Sequence, residues 1–177
     1  MNDKDIDALL GAARLPESTV PLCLRGDLQA EWETLERALA EVKQRGDRRL
    51  AGSPEEAKLA RQLRDLEAQM QDSTITLRLR ALPRREFMKL VEKHPARKDN
   101  QVDRMVGVNQ ATFYDALIGA CVVEPELDEE RLTRLLDALT DAQFNKLANT
   151  AWELNRSDVS VPFSRTASRI TTNSDET

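Results

Sequence analysis

The sequence predicts a mainly α fold: a helical domain in which an αα-hairpin is inserted between two short strands of a small antiparallel sheet. Three observations lead there. Residues 27–42 and 53–70 carry apolar side chains at alternating spacings of four and three, the heptad pattern of paired helices. Outside each lies a segment with the two-residue alternation of half-buried strands, 20–24 with Val20, Leu22 and Leu24 on one side, and 74–81 with apolar and polar residues alternating. The chain is also 32% charged and only 4% aromatic, a balance that suits amphipathic helices better than a β-sandwich. The 177 residues divide into an N-terminal helix (1–17), a mainly helical domain (18–157) containing the hairpin (27–71), and a flexible C-terminal tail (158–177).

Ile6, Leu9, Leu10 and Ala13 share one face of a short first helix, which Arg14-Leu15-Pro16 ends. Val20, Leu22 and Leu24 then alternate with Thr19, Pro21 and Cys23. Pro21 has no N–H to donate to a ladder, so this strand belongs at a sheet edge. Gly26-Asp27 starts the next helix with Asp27 as N-cap, and Leu28, Trp32, Leu35, Leu39 and Val42 form its stripe. A turn is expected over 46–52. Ser53-Pro54-Glu55-Glu56 then combines an N-cap, a proline in the first turn and a capping-box glutamate. Leu59, Leu63, Leu66 and Met70 repeat the heptad stripe. The two stripes either pack only on each other or also dock a partner helix.

In the second strand Ile75, Leu77, Leu79 and Ala81 face one side, and Thr74, Thr76, Arg78 and Arg80 the other. It is expected to pair with the first strand. Pro83 opens a helix whose apolar face is Phe87, Leu90 and Val91, and His94-Pro95 ends it. The polar segment 99–107 reads as a mobile loop. Asn109 caps a helix carrying Phe113, Ala116, Leu117, Ala120 and Cys121, and Val122-Val123-Glu124-Pro125 leaves it. Asp128 caps a helix with Leu132, Leu135, Leu136 and Leu139. Thr140-Asp141-Ala142-Gln143 is a second capping box, ahead of Phe144, Leu147, Ala148, Ala151, Trp152 and Leu154. These later helices are each too short to be stable alone, so together they make the main core. The tail is polar apart from Val159, Val161, Phe163 and Ile170, and its last residues are expected to be disordered.

Composition excludes several functions. A net charge of −5 argues against a globally basic nucleic-acid binder. No apolar run approaches the roughly 20 residues of a membrane helix. The acidic start Asn2-Asp3-Lys4-Asp5 has no apolar core of a secretory signal. Cys23 and Cys121 form no CxxC motif and read as two buried thiols. His94 is the only histidine and reads as a solvent-facing helix end, so no histidine-based metal cluster is available. No phosphate-cradling glycine loop or nucleophile elbow occurs. The expectation is a cytosolic binding protein with no catalytic residues, no metal and no cofactor.

One stretch departs from the average. Residues 78–98 hold Arg78, Arg80, Arg84, Arg85, Lys89, Lys93, Arg97 and Lys98 against Glu86 and Glu92, a net of +6 with His94 neutral. It is either a solvated face or a contact for an acidic partner. Its aromatic residue, Phe87, sits on the apolar face of its helix rather than among the basic residues, which favours a protein partner over nucleic acid.

The order of these pieces resembles a known family. Val20-Pro21-Leu22-Cys23-Leu24-Arg25-Gly26-Asp27-Leu28 opens a Glu-rich helix, and Thr76-Leu77-Arg78-Leu79-Arg80-Ala81-Leu82-Pro83 leads into the Phe87 helix. Leu139-Thr140-Asp141-Ala142-Gln143-Phe144, Ala151-Trp152-Glu153-Leu154-Asn155 and Val161-Pro162-Phe163-Ser164-Arg165 follow. This is similar to the tail assembly chaperones of long-tailed phages and prophages of high-GC bacteria, from about residue 20 to residue 170. The resemblance implies a small, largely helical protein of the host-cell cytoplasm, missing from the mature virion, that keeps the tape measure protein soluble while tail tube subunits polymerise around it. It also implies contact with tail tube protein, a frameshifted longer form and a possible homo-oligomer as partners. A structural tail or connector subunit, or a nucleic-acid binder using 78–98, are the competing readings.

Accepting a long helix needs an apolar stripe or groove. Trp32, Leu35, Leu39, Leu63, Leu66, Phe144 and Trp152 are the candidate partner-binding residues, and Arg78, Arg80, Arg84, Arg85 and Lys89 the candidate contacts to an acidic partner. If the hairpin forms, Leu35→Asp places an unpaired charge in its seam. Thermal melts should then show a clear loss of stability, and an unchanged melt would sink the hairpin.

Overall fold

The computed structural model describes residues 3–45 and 53–158. In chain order it contains α1 (Asp3–Ala12), β1 (Glu17–Cys23), α2 (Asp27–Arg45), α3 (Pro54–Asp72), β2 (Thr74–Arg80) and α4 (Arg84–Lys93). Next come α5 (Gln101–Val106), α6 (Gln110–Cys121), β3 (Val122–Glu124), α7 (Glu129–Asp137) and α8 (Asp141–Arg156). The fold is mainly α with one small antiparallel sheet, ordered β1-β2-β3. The expected turn at 46–52 and the expected tail with Val159, Val161, Phe163 and Ile170 lie outside the described residues.

Strand alternation sets the sheet. β1 and β2 pair antiparallel, with Val20 opposite Leu77 and Leu22 opposite Ile75. Val20, Leu22, Leu77 and Leu79 are buried, while Arg78 and Arg80 point to the wet face. β1 is an edge strand, as Pro21 requires. Its outer carbonyls are met by α8: Gln143 Nε2 donates to Cys23 O at 2.7 Å and Lys146 Nζ to Pro21 O at 3.2 Å. These contacts blunt a strand edge that would otherwise template pairing with another chain.

The core fills the sheet's dry face. Phe113, Leu117 and Ile118 of α6 and Leu147 and Ala151 of α8 are all at 0% exposure, packed with Phe87 of α4 and Leu135 of α7. Capping chemistry marks the helix starts. Ser53 and Glu56 form a reciprocal capping box on α3, and Thr140 and Gln143 another on α8. Asn109 and Asp128 cap α6 and α7.

α2 and α3 pack chiefly on one another, and neither contributes to the main core. Leu28, Leu63 and Leu66 are buried in their seam. Trp32 Nε1 donates to Glu67 Oε1 at 3.2 Å, which sets the antiparallel register. Each helix has 19 residues, so the hairpin is a rod of about 28 Å that leaves the body between β1 and β2.

Several expectations need correction. Asp27 is the first residue of α2 rather than its cap, because Arg25 engages its carboxylate at 2.8 and 2.7 Å. The segment 99–107 is no loop: Asn100 caps α5, and Gly107 closes it at φ 88°, a conformation that favours glycine. Val122–Glu124 is a third strand beside β2, too short for alternation to reveal. Leu24 lies past the end of β1 and is 45% exposed. Cys23 is half-buried rather than buried. His94 is half-buried too: its Nδ1 lies 2.8 Å from Thr112 Oγ1, and its ring meets the Phe113 ring edge-on.

The two tryptophans report on separate parts, Trp32 on the hairpin and Trp152 on the body. In single-tryptophan variants unfolded with urea, the Trp32 signal should change first, since its seam buries less apolar surface than the core. Leu77→Ala should cost about 2–5 kcal/mol and move the Trp152 transition to lower denaturant. Identical transitions for both tryptophans would show that hairpin and body unfold as one unit.

Candidate partner-binding surface

The hairpin and the body present different surfaces. On the hairpin, Leu63 and Leu66 are covered by the seam itself. Leu35 and Leu39 are half-buried along it. Trp32 sits at one flank of the seam, where Gln29, Trp32, Glu67 and Met70 line an open depression of about 370 Å³. The tryptophan face and Met70 supply its apolar part, while Gln29 and Glu67 supply polar rims. Trp32, among the candidate partner-binding residues, and Met70 of the second heptad stripe both line this depression.

Phe144 and Trp152 are half-buried against the body core. Trp152 belongs to an aromatic cluster, with ring centroids 5.8 Å from Phe113, 6.1 Å from Phe87 and 6.2 Å from Tyr114. All these pairs are edge-to-face, the geometry favoured by the ring quadrupole. The Arg156 guanidinium covers the Trp152 ring at 5.1 Å from its centroid. The hairpin depression is thus lined by α2 and α3 residues, while Phe144 and Trp152 pack on the body core.

The basic stretch splits in two. Arg78 reaches Glu17 of β1 and Glu124 of β3, each at 2.9 Å, and Arg80 reaches Glu17 at 2.6 Å. These bonds, Arg80 first and Arg78 second, hold the Glu17 carboxyl below its ordinary range. Arg97 is bound to Asp103. Arg84, Arg85 and Lys89 are exposed and make no ion pair among the described residues.

Asp103 is the one buried charged residue among those described, at 1% exposure. Its carboxylate accepts from the Arg97 side chain at Nε and from Nη2 at 3.2 Å, and from the backbone N–H groups of Arg97 and Gln110 at 3.3 Å. Gln110 opens α6, so the carboxylate also sits at a helix N-terminus, where negative charge is favoured. The Arg97 hydrogen bonds outweigh burial and bring the Asp103 carboxyl to about 2. Sequence reading missed this residue because it lies in a polar segment. The Asn100 and Gly107 caps flanking it were the available signal.

A second feature the sequence hid is a cleft between α6 and α7, of about 320 Å³, lined by Asp115, Gly119, Glu129, Leu132, Leu136 and Asp137 among others. Burial, and then the Asp137 charge, push the Asp115 carboxyl up. Gly119 lets α7 approach: a Cβ there would lie 2.8 Å from Leu132 Cδ2. No motif marks the cleft, since its carboxylates meet only through helix packing.

Cys121 is buried, and burial pushes its thiol up, against the opposing effect of the Asn155 amide. That is the inert state of a packed cysteine rather than an activated thiolate. Among the described residues no group of three or more His, Cys, Asp or Glu side chains could hold a metal ion. No helix there is long and apolar enough to cross a membrane. Compared with known proteins, the chain matches no family model, no curated protein and no solved structure.

Asp103 makes a pH prediction. Its folded value lies below the ordinary carboxylate value of about 3.9, so its contribution is present above that value and lost as pH falls towards 2. Wild-type melting temperature should therefore drop between about pH 4 and pH 2. Asp103→Asn should melt lower than wild type at pH 7 and show a shallower drop in that window. Parallel pH curves for the two proteins would exclude Asp103 as the titrating group.

Proposed function

We propose that this protein is a phage tail assembly chaperone that binds the tape measure protein and holds it soluble in the host cytoplasm until the tail tube encloses it. The family resemblance of 20–170 suggests the role. The observation that supports it most is the hairpin, which packs on itself, stays out of the main core and carries Trp32 and Met70 in an open depression. A client helix with an i, i+3, i+4, i+7 apolar stripe can lie along such a flank and insert a side chain beside Trp32. Buried aromatic anchors of this kind carry much of the energy in protein interfaces. Glu67, tied to the indole N–H, holds the ring in place.

The net charge of −5 suits the task, because like-charged complexes stay apart while an apolar client is held. An apolar contact of this type tolerates salt. At about 0.5 M the Debye length is only a few ångströms, so attraction through Arg84, Arg85 and Lys89 would be largely screened.

Co-production with a cognate tape measure protein tests the reading. The client's soluble yield should rise, and the two proteins should co-purify at about 0.5 M salt. Trp32→Asp should weaken the complex by about tenfold or more while leaving the Trp152 environment unchanged, as expected for loss of an interface anchor. A client that stays insoluble, with no complex at any salt, would overturn the chaperone role. A complex that dissolves at high salt would move the contact from Trp32 to the basic face.

A further inference from the structure

We propose that α1 is an exchange arm that docks on the outer faces of α4 and α5 of a second copy of this chain. The argument begins with α1 itself. Ile6, Leu9 and Leu10 share one face and are 39%, 62% and 68% exposed. The helix has ten residues and, among the described residues, makes no extensive packing contact with another element. A helix that short is marginal in water without a surface to bury its stripe. Arg14 caps its last turn, its Nη1 donating to the carbonyls of Gly11 and Ala13, so α1 is finished as a helix and lacks only a cover.

The surface that fits lies on α4 and α5. Among the described residues, five other large apolar side chains are exposed, and three of them, Met88, Val102 and Met105, lie on α4 and α5. Leu15 follows α1 directly and Leu24 trails β1. Charge agrees with this choice. Residues 3–12 carry three aspartates and one lysine, a net of −2, while 84–93 carry four basic and two acidic residues, a net of +2. Arg84, Arg85 and Lys89 have no ion pair among the described residues, and Asp7 lies one position from Ile6 at the edge of the stripe. Copies of a chain with net charge −5 repel one another unless an acidic surface meets a basic one, which this pairing provides.

The chain's own arm does not cover this surface: Met88, Val102 and Met105 stay 42%, 56% and 80% exposed while Ile6, Leu9 and Leu10 are open as well. Pro16 is held where its carbonyl accepts the Ala81 N–H at 2.9 Å, and Glu17 begins β1, so residues 13–15 form the tether between α1 and the sheet. A second copy supplies the cover of both open faces. If two copies exchange arms, each contact is repeated about a two-fold axis and the assembly closes as a dimer.

Sedimentation of the full chain from about 1 to 100 µM, at low salt and at about 0.5 M salt, tests this, because exchange dimers form by mass action. Wild type should pass from monomer to dimer, with weaker dimerisation at high salt. Leu9→Ser with Leu10→Ser should remain monomeric, and so should Arg85→Glu with Lys89→Glu. Both should keep the wild-type Trp152 unfolding transition, since all four side chains lie outside the core. The decisive measurement mixes the two double variants. One copy has an intact arm and the other an intact acceptor, so a heterodimer should form that neither variant makes alone. Three results would each overturn the proposal: a wild type that is monomeric throughout, a dimer that persists in both variants, or no heterodimer on mixing. A monomer whose α1 amides resist hydrogen exchange would place the arm on its own chain instead.

Discussion

The pairing of β1 with β2 is the constraint on which the rest depends. Val20 opposite Leu77 and Leu22 opposite Ile75 close a chain excursion of some fifty residues. That closure does two things at once. It gathers one apolar face from four strand residues, on which α4, α6 and α8 assemble. It also fixes the two points from which the hairpin leaves, so that α2 and α3 can pack on each other without joining the core. A slip of one residue in this register would turn Leu77 and Leu79 to solvent and bring Arg78 and Arg80 inward.

Polar contacts hold the pieces that the apolar face alone would leave loose. Arg78 reaches both neighbouring strands through Glu17 and Glu124, so one guanidinium ties all three strands on the wet face. Pairs this exposed add little individual stability, but they favour the observed register over its slipped alternatives. Asp103 links the chain after α4, helix α5 and the start of α6 through one buried carboxylate. Asn155 completes the set, its Oδ1 accepting the Leu82 N–H at 2.8 Å as the chain leaves β2. Gln143 has two uses, closing the capping box with Thr140 and covering the Cys23 carbonyl on the sheet edge.

The distribution of charge separates the structural cations from the available ones. Within the basic stretch, Arg78, Arg80 and Arg97 are each committed to a carboxylate, whereas Arg84, Arg85 and Lys89 are left facing water. On the acidic side, Asp115 and Asp137 both line the α6–α7 cleft, where burial first and the Asp137 charge second raise Asp115. The apolar exposure is divided in the same way. Among the described residues, the main core is closed, and the open apolar side chains lie on α1 and Leu15, at Leu24 after β1, on the Trp32 flank and on α4 and α5. The buried Cys121 keeps its thiol out of solvent, while the half-buried Trp32 gives the hairpin flank an apolar face beside a polar rim.

The sequence by itself determined the elements whose signals are local. The heptad stripes, the capping boxes at Ser53 and Thr140, the caps at Asn109 and Asp128, and the alternation of β1 and β2 follow from side-chain periodicity and backbone hydrogen bonding. Each can be read within one or two turns of chain. Tertiary structure decided what depends on residues far apart. The strand at 122–124 exists because β2 offers it a free edge, and α5, whose local signal is confined to its Asn100 and Gly107 caps, is fixed in place as Arg97 and Gln110 satisfy Asp103. It also decided which apolar and charged residues remain available. Leu63 and Trp32 look alike as members of heptad stripes, and Arg78 and Arg85 look alike as basic residues. Only packing buries the first leucine and leaves the indole at a flank, and only strand pairing supplies Arg78 with carboxylates while Arg85 faces water. Periodicity specifies a face, but whether that face meets a neighbour is a property of the assembled fold.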